Sequence, residues 1–359
     1  MTASPAALLR TLGLGTLLVV VVALVAACGG SSSTASSSSA ATTTAAAVEP
    51  AEVKVALDWT PNTNHIGVYV ADQFGYYKDQ GVTVKLLPYA STSPETLVSE
   101  GAAQFGFSYS NGIAFARAAG LDVVQVYANI AKQQYLLAYR ADDASITRPK
   151  DLDGKTYAGF GTPSEESEVA TVIKADGGKG DFKKVVLDTA AYDAVYGGRA
   201  DFTISASTWE GVEAAVTGKP MKYFDPADYG YPQSYSSAII ASNAWLTANP
   251  DVAKRFLLAT QQGYAYAAAH PAEAAKLLLA ANPQTLKNPA IVEQSAALLA
   301  KDGYYTGADG TIGTVDGKLV STFSDFLYDN QLLTDADGKV LKTKPDASQS
   351  YTNDYLPAG

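Results

Sequence analysis

The chain has one cysteine, two histidines and two methionines in 359 residues. So few sulfur and imidazole ligands exclude Cys/His zinc modules, iron–sulfur clusters and disulfide frameworks. Charge is also scarce: Asp, Glu, Lys and Arg make up 17% of residues. That is below the roughly 25% usual in soluble proteins, so the surface must draw on Ser, Thr, Asn, Gln and Tyr. The positive sign is the scarcer, 26 basic against 36 acidic residues, for a formal net charge of -10. A nucleic-acid binder carries a basic surplus to neutralise phosphates, and none is offered here. A P-loop is missing, and Gly159-Phe160-Gly161 begins a dinucleotide glycine pattern whose third position is Ser164. No nucleophile elbow accompanies His65 or His270, so a Ser-His-Asp hydrolase is not expected. No cofactor or metal is expected; a pairing of the carboxylates Glu165, Glu166 and Glu210 for hydrolysis stays open, but the lipobox, leash and two-lobed body read below favour capture over catalysis.

What is present is apolar: 47% of residues are hydrophobic, enough to bury a sizeable core. At the N-terminus a single charge, Arg10, precedes an apolar run from Leu12 to Ala27. That run is shorter than the roughly 20 residues of a membrane span, so residues 1–27 read as a cleaved signal peptide. The ending Leu24-Val25-Ala26-Ala27-Cys28-Gly29 resembles a bacterial lipobox, with Cys28 as the lipidated first mature residue. Gly29 to Val48 is nearly all Gly, Ser, Thr and Ala, which cannot offset its ordering entropy, so 28–50 forms a flexible leash. A protein so built is held at the extracytoplasmic face of the cell membrane by its lipid alone.

From Ala51 onward short β-branched runs alternate with helical patterns, an α/β signature. Strands are expected at Val53–Leu57, Val82–Leu87, Phe105–Ser108, Val123–Ile130 and Tyr135–Arg140, with helices at Gly67–Asp79, after Ser93-Pro94 and at Ile113–Ala119. The rhythm restarts with strands at Thr156–Phe160, Lys184–Asp188 and Asp201–Ser205, and helices from Ser164, Ala190 and Thr208. A strand at Ser236–Ser242 leads into Ala/Leu-rich helices at Pro250–His270, Pro271–Ala281, Asn288–Lys301 and Leu319–Asn330. The reading is two mostly parallel α/β lobes. Lobe one spans 51–140 plus 238–359 and lobe two 141–237, with crossings near Leu137–Tyr139 and Ala238–Ile240. Ligands of open α/β sheets sit beyond the carboxyl ends of strands, so two facing lobes enclose a cleft and close on a ligand by a hinge.

Four loops follow strands and precede helices: Asp58–His65, Ser108–Asn111, Gly161–Glu166 and Ser205–Glu210. They offer Trp59, Asn62, Asn64, His65, Tyr109, Asn111, Ser164, Glu165, Glu166, Trp209 and Glu210 as ligand contacts. Aromatic faces bind planar rings, and amides and carboxylates read ring nitrogens and amino groups. Competing roles exist: Ser164 suits a helix cap better than a ligand contact, and His65 suits a hydrogen-bonded loop residue equally well. Trp245 and His270 read as packing residues. The four loops hold no Lys or Arg to meet an anion.

Leu57 to Ala71, read as Leu-Asp-Trp-Thr-Pro-Asn-Thr-Asn-His-Ile-Gly-Val-Tyr-Val-Ala, resembles the signature of the thiamine-pyrimidine-precursor family of ABC transporter solute-binding proteins. Gly161–Glu166, Trp209-Glu210-Gly211, Tyr229-Gly230-Tyr231-Pro232 and Ser242–Pro271 are similar to further motifs of that family, and the likeness fades after Asn282. The resemblance implies a two-lobed periplasmic-binding fold of the second type. It implies capture of an aminopyrimidine, such as a formyl-aminomethyl-pyrimidine, by a monomer that delivers it to a membrane permease with a cytoplasmic ATPase. Riboflavin or another aromatic heterocycle is the alternative cargo. A weaker alternative is a pyrimidine synthase-like enzyme, but those enzymes use a cysteine-rich motif that this chain lacks.

Overall fold

Residues 49–162 and 164–357 are described by the structure, a computed structural model. The signal peptide, Cys28 and the leash to residue 48 lie outside the described residues. From Ala51 the chain lays down strands β1 (Ala51–Ala56), β2 (Val82–Leu87), β3 (Phe105–Ser108) and β4 (Val124–Ile130). It then moves to β5 (Tyr135–Arg140), β6 (Thr156–Gly159), β7 (Lys183–Val186), β8 (Phe202–Ala206) and β9 (Met221–Phe224), and returns with β10 (Ser237–Ala241). Two five-stranded sheets result, ordered β2-β1-β3-β10-β4 and β7-β6-β8-β5-β9.

The two sheets share one plan. In the first, β1 pairs parallel with β2 and β3, while β10 runs antiparallel between β3 and β4. In the second, β6 pairs parallel with β7 and β8, while β5 runs antiparallel between β8 and β9. The sheets are therefore mixed, in place of the mostly parallel arrangement expected. The reversed strands, β5 and β10, are the two that have just arrived from the other lobe. The sequence places Tyr135–Arg140 in lobe one, but its partners are β8 and β9 of the second sheet. The outward crossing is Ala131–Gln134, and the return lies before Ser237, ahead of both expected positions. The alternation of Tyr135–Arg140 records burial; only its pairing partners decide which sheet it joins. Strand β9 is not anticipated by the sequence pattern.

The helices are α1 (Ile66–Gln73), α2 (Tyr76–Asp79), α3 (Pro94–Ser99), α4 (Ser110–Ala118), α5 (Glu165–Ala175), α6 (Ala190–Tyr196) and α7 (Glu210–Val216). After β10 come α8 (Asn243–Ala248), α9 (Pro250–Ala269), α10 (Pro271–Ala281), α11 (Pro289–Lys301) and α12 (Gly317–Asp329). The helix expected over Gly67–Asp79 divides at Gly75, whose φ of 77° ends α1. Alternate strand residues face opposite ways, so Val53, Val55 and Ile239 pack under α1 and α9, while Ala56 and Ile240 pack against Val98 of α3 and Ile113 of α4. Helices α1 and α9 approach so closely that a side chain at Gly263 would collide with the Gly67 carbonyl. Trp245 packs edge-on to Phe105 at 5.2 Å, in its packing role. Among the described residues no helix is long and apolar enough to cross a membrane.

The two crossings are fastened to each other. The Gln134 backbone N–H donates to Ser236 Oγ at 2.9 Å, and Ser234 Oγ donates to Gln133 Oε1 at 3.2 Å. A closing motion of two lobes so joined would pivot about this pair of crossings.

Candidate ligand-binding site

Strands β1, β2 and β3 of one sheet and β6, β7 and β8 of the other send their carboxyl-end loops to a common gap. The gap is a cleft of about 620 Å³, within the range of roughly 300 to 1,000 Å³ usual for small-molecule sites. Of the residues singled out from sequence, Trp59, Asn62, Asn64, Tyr109, Asn111, Ser164, Glu165, Trp209 and Glu210 line it. His65 and Glu166 do not.

The loop after β1 is wound tightly. Asn62 Oδ1 accepts from the Asn64 N–H at 2.8 Å and starts a 3-10 turn over Thr63–His65. His65 is fully buried, edge-on to Phe107 at 4.6 Å. Its Nδ1 accepts from the Asn62 N–H at 3.2 Å, so the proton rides on Nε2 and is donated to Asp58 Oδ1 at 2.8 Å. His65 is thus sealed under the loop as a brace, and Asp58 is the side chain it presents to the cleft. Trp59 stands beside Tyr89, ring centroids 5.2 Å apart. Asn64 also lines the cleft, with its side-chain oxygen buried and unpartnered.

The loop after β3 brings Tyr109 and Asn111. Burial, together with nearby carboxylates led by Glu95, pushes the Tyr109 hydroxyl well up from its usual range. Glu95, reaching in from α3, accepts the Ser108 hydroxyl. Asn111 spans the gap: its Nδ2 donates to Ser164 Oγ on the facing lobe at 2.5 Å. Ser164 makes no side-chain capping bond to α5, so the cap role favoured from sequence gives way to a cross-cleft bond.

Glu165 opens α5 and is spent on its own loop. Its carboxylate accepts from Tyr157 OH at 3.0 Å, Phe160 N at 2.9 Å, and Thr162 N and Oγ1 at 2.8 Å each. Four donors fill the acceptor sites of a carboxylate. Glu166 turns outward, exposed, and pairs with Lys184; one residue along a helix rotates a side chain about 100° from its neighbour, off the cleft. Glu168, one turn on from Glu165, does point inward. Burial first, and then the charge of Glu165, push its carboxyl up to about 8. Glu210, at the start of α7 beside Trp209, is likewise pushed up by burial to about 8, against the opposing pull of backbone N–H donors that include Ala206 at 3.2 Å.

Sequence reasoning missed Tyr89, Glu95, Tyr135, Glu168, Tyr192 and Tyr231 on the cleft wall. The helical spacing from Glu165 could have found Glu168; the tyrosines carry no motif. The Tyr231 hydroxyl lies beside Glu168, Asn111 and Ser164 without reaching hydrogen-bonding geometry. The wall contains six carboxyl side chains and, among the described residues, no Lys or Arg. An aromatic box lined with acceptors can take a flat ring that bears hydrogen-bond donors, and it gives a sulfonate or nitrate no counter-charge.

A family model described as NMT1/THI5 like matches residues 62–274. The chain is 31% identical to a formylaminopyrimidine-binding protein of Halalkalibacterium halodurans over 63% of this chain and 69% of that one. It is 26% identical to a 4-amino-5-hydroxymethyl-2-methylpyrimidine phosphate synthase of Legionella pneumophila over 86% of this chain and 93% of that one. Among solved structures it resembles the alkanesulfonate-binding protein SsuA of Xanthomonas axonopodis pv. citri, with a TM-score of 0.62, 16% identity, and coverage of 85% and 99% of the two chains. That likeness is one of fold: two α/β lobes around a cleft, as in periplasmic binding proteins.

Proposed function

The chain belongs to the NMT1/THI5-like family, and on that premise we propose that it is the solute-binding protein of an ABC importer, capturing an aminopyrimidine precursor of thiamine and passing it to a permease driven by a cytoplasmic ATPase. The observation that carries this reading is the cleft wall, rich in rings and carboxyls and without Lys or Arg. Trp59 and Trp209 stack on the pyrimidine; Asn62, Asn64, Tyr109, Asn111 and Ser164 address its polar edges; Glu210 accepts from its amino group. Cys28 carries the lipid that holds the monomer at the outer face of the cell membrane, and the leash lets the body reach the permease.

The protein binds without turnover. His65, the one histidine near the cleft, is occupied at both ring nitrogens, and the carboxyls are engaged in holding loops or waiting for a ligand. Tandem mass spectrometry of what co-purifies identifies the cargo, and thermal shift tests it. A ligand at about 100 times its Kd adds roughly 2.7 kcal/mol to the bound state. Aminopyrimidines are expected to produce that shift and to be recovered intact; stabilisation by taurine or nitrate alone, or by riboflavin in preference, would replace this assignment.

A further inference from the structure

We propose that the cleft is built for a cationic ligand, an aminopyrimidine bearing a primary ammonium group, and prefers it to the uncharged formamide of the same skeleton, with Asp58 as the partner of the ammonium. This rests on the reading above and deepens it. The formyl group is what separates the two ligands: it turns a primary amine, an ammonium at neutral pH, into a neutral amide.

Several observations converge. The cleft presents Asp58, Glu95, Glu168, Asp188 and Glu210 besides the fully engaged Glu165, with no basic side chain among the described residues. Burial keeps Glu168 and Glu210 protonated near neutral pH, so the charge of the site rests on the remaining carboxylates, Asp58 foremost, and a cation answers it where a neutral amide does not. Two buried polar groups on the same wall have no partner: Asn64 Oδ1, on a residue 7% exposed, and the Tyr231 hydroxyl, on a residue 2% exposed. The Asn64 oxygen is left to accept from a ligand donor. Asp58 is the carboxylate best prepared to meet the charge. His65 fixes one oxygen, the other has no hydrogen bond among the described residues, and Trp59 and Tyr89 line the same cleft.

The test is calorimetric titration of the folded body with the aminomethyl-pyrimidine and with its N-formyl derivative at pH 7. The amine is expected to bind at least tenfold more tightly. In Asp58→Asn, which leaves His65 an oxygen to donate to, the ratio of amine to formamide affinity is expected to fall at least tenfold. Asp188→Asn, on the same cleft wall, serves as a second variant should Asp58→Asn fold poorly, with the ratio moving the same way. Formamide binding as tightly as the amine, or more so, overturns the inference and leaves the aminopyrimidine reading intact. A preference that survives unchanged in both variants also overturns it, because the charge would then play no part. If neither compound binds, the inference and the aminopyrimidine reading fall together.

Discussion

Glu168 and Glu210 hold their protons near 8 in the folded protein, where an ordinary glutamate releases them at 4.5. The unfolded chain therefore binds fewer protons than the folded one between those values, and stability falls as pH rises from about 4.5 to 8. A tenfold difference in proton affinity between the folded and unfolded states is worth about 1.4 kcal/mol. Replacing either residue by glutamine removes its share, so Glu210→Gln should flatten the loss of stability between pH 5 and pH 8 by an amount on the order of a few kcal/mol. Urea denaturation at the two pH values measures it, and a slope equal to that of the parent protein would contradict the buried environment described for this carboxyl. Residues of this kind were half legible in the sequence. That Asp58, Trp59 and Glu210 follow strands located them on the cleft. That His65 turns under the loop and Glu166 turns away from it depends on hydrogen bonds and helical phase that no motif states.

Helices and strands announced themselves where local chemistry decides them. Ser93 accepts from the Thr96 N–H at 3.2 Å and Pro94 takes the first helical position of α3, while Pro250, Pro271 and Pro289 open α9, α10 and α11 in the same way. The four residues of β9 form a short edge strand between Pro220 and Asp225, too brief for alternation to show. The fit of α1 against α9 was equally hidden, because a glycine in a helical run signals weakness until its neighbour is known. Here it permits contact: a Cβ at Gly263 would strike the Gly67 carbonyl, and one at Gly67 would strike the ring of Tyr264. Gly263→Ala would ordinarily favour a helix by up to about 1 kcal/mol. At this contact it should instead cost about 1 to 3 kcal/mol through overpacking. Thermal denaturation of the variant decides between the two signs.

At the scale of the molecule, two lobes joined by a pair of mutually bonded crossings have one easy motion. The Asn111–Ser164 bond ties one lobe to the other across the cleft. Because Ser164 does not cap α5, Ser164→Ala should cost only about the 0.5–1.5 kcal/mol of the one hydrogen bond it removes. The same substitution, or Asn111→Ala, should enlarge the radius of gyration of the empty protein in solution scattering, with ligand restoring the smaller value. Equal radii for parent and variants would mean that this bond does not set the closure. Sheet order was not legible from the chain because β5 and β10 exchange lobes, yet that exchange gives the molecule its single axis. The edge strand β7 leaves Val186 55% exposed, two residues before Asp188 on the cleft wall, and the described residues contain no cysteine. A thiol placed at Val186, in a chain that begins after Cys28, would carry one fluorophore beside a gap that a hinge motion on binding would narrow. The cleft would then serve as an optical gauge of the concentration of whatever it binds.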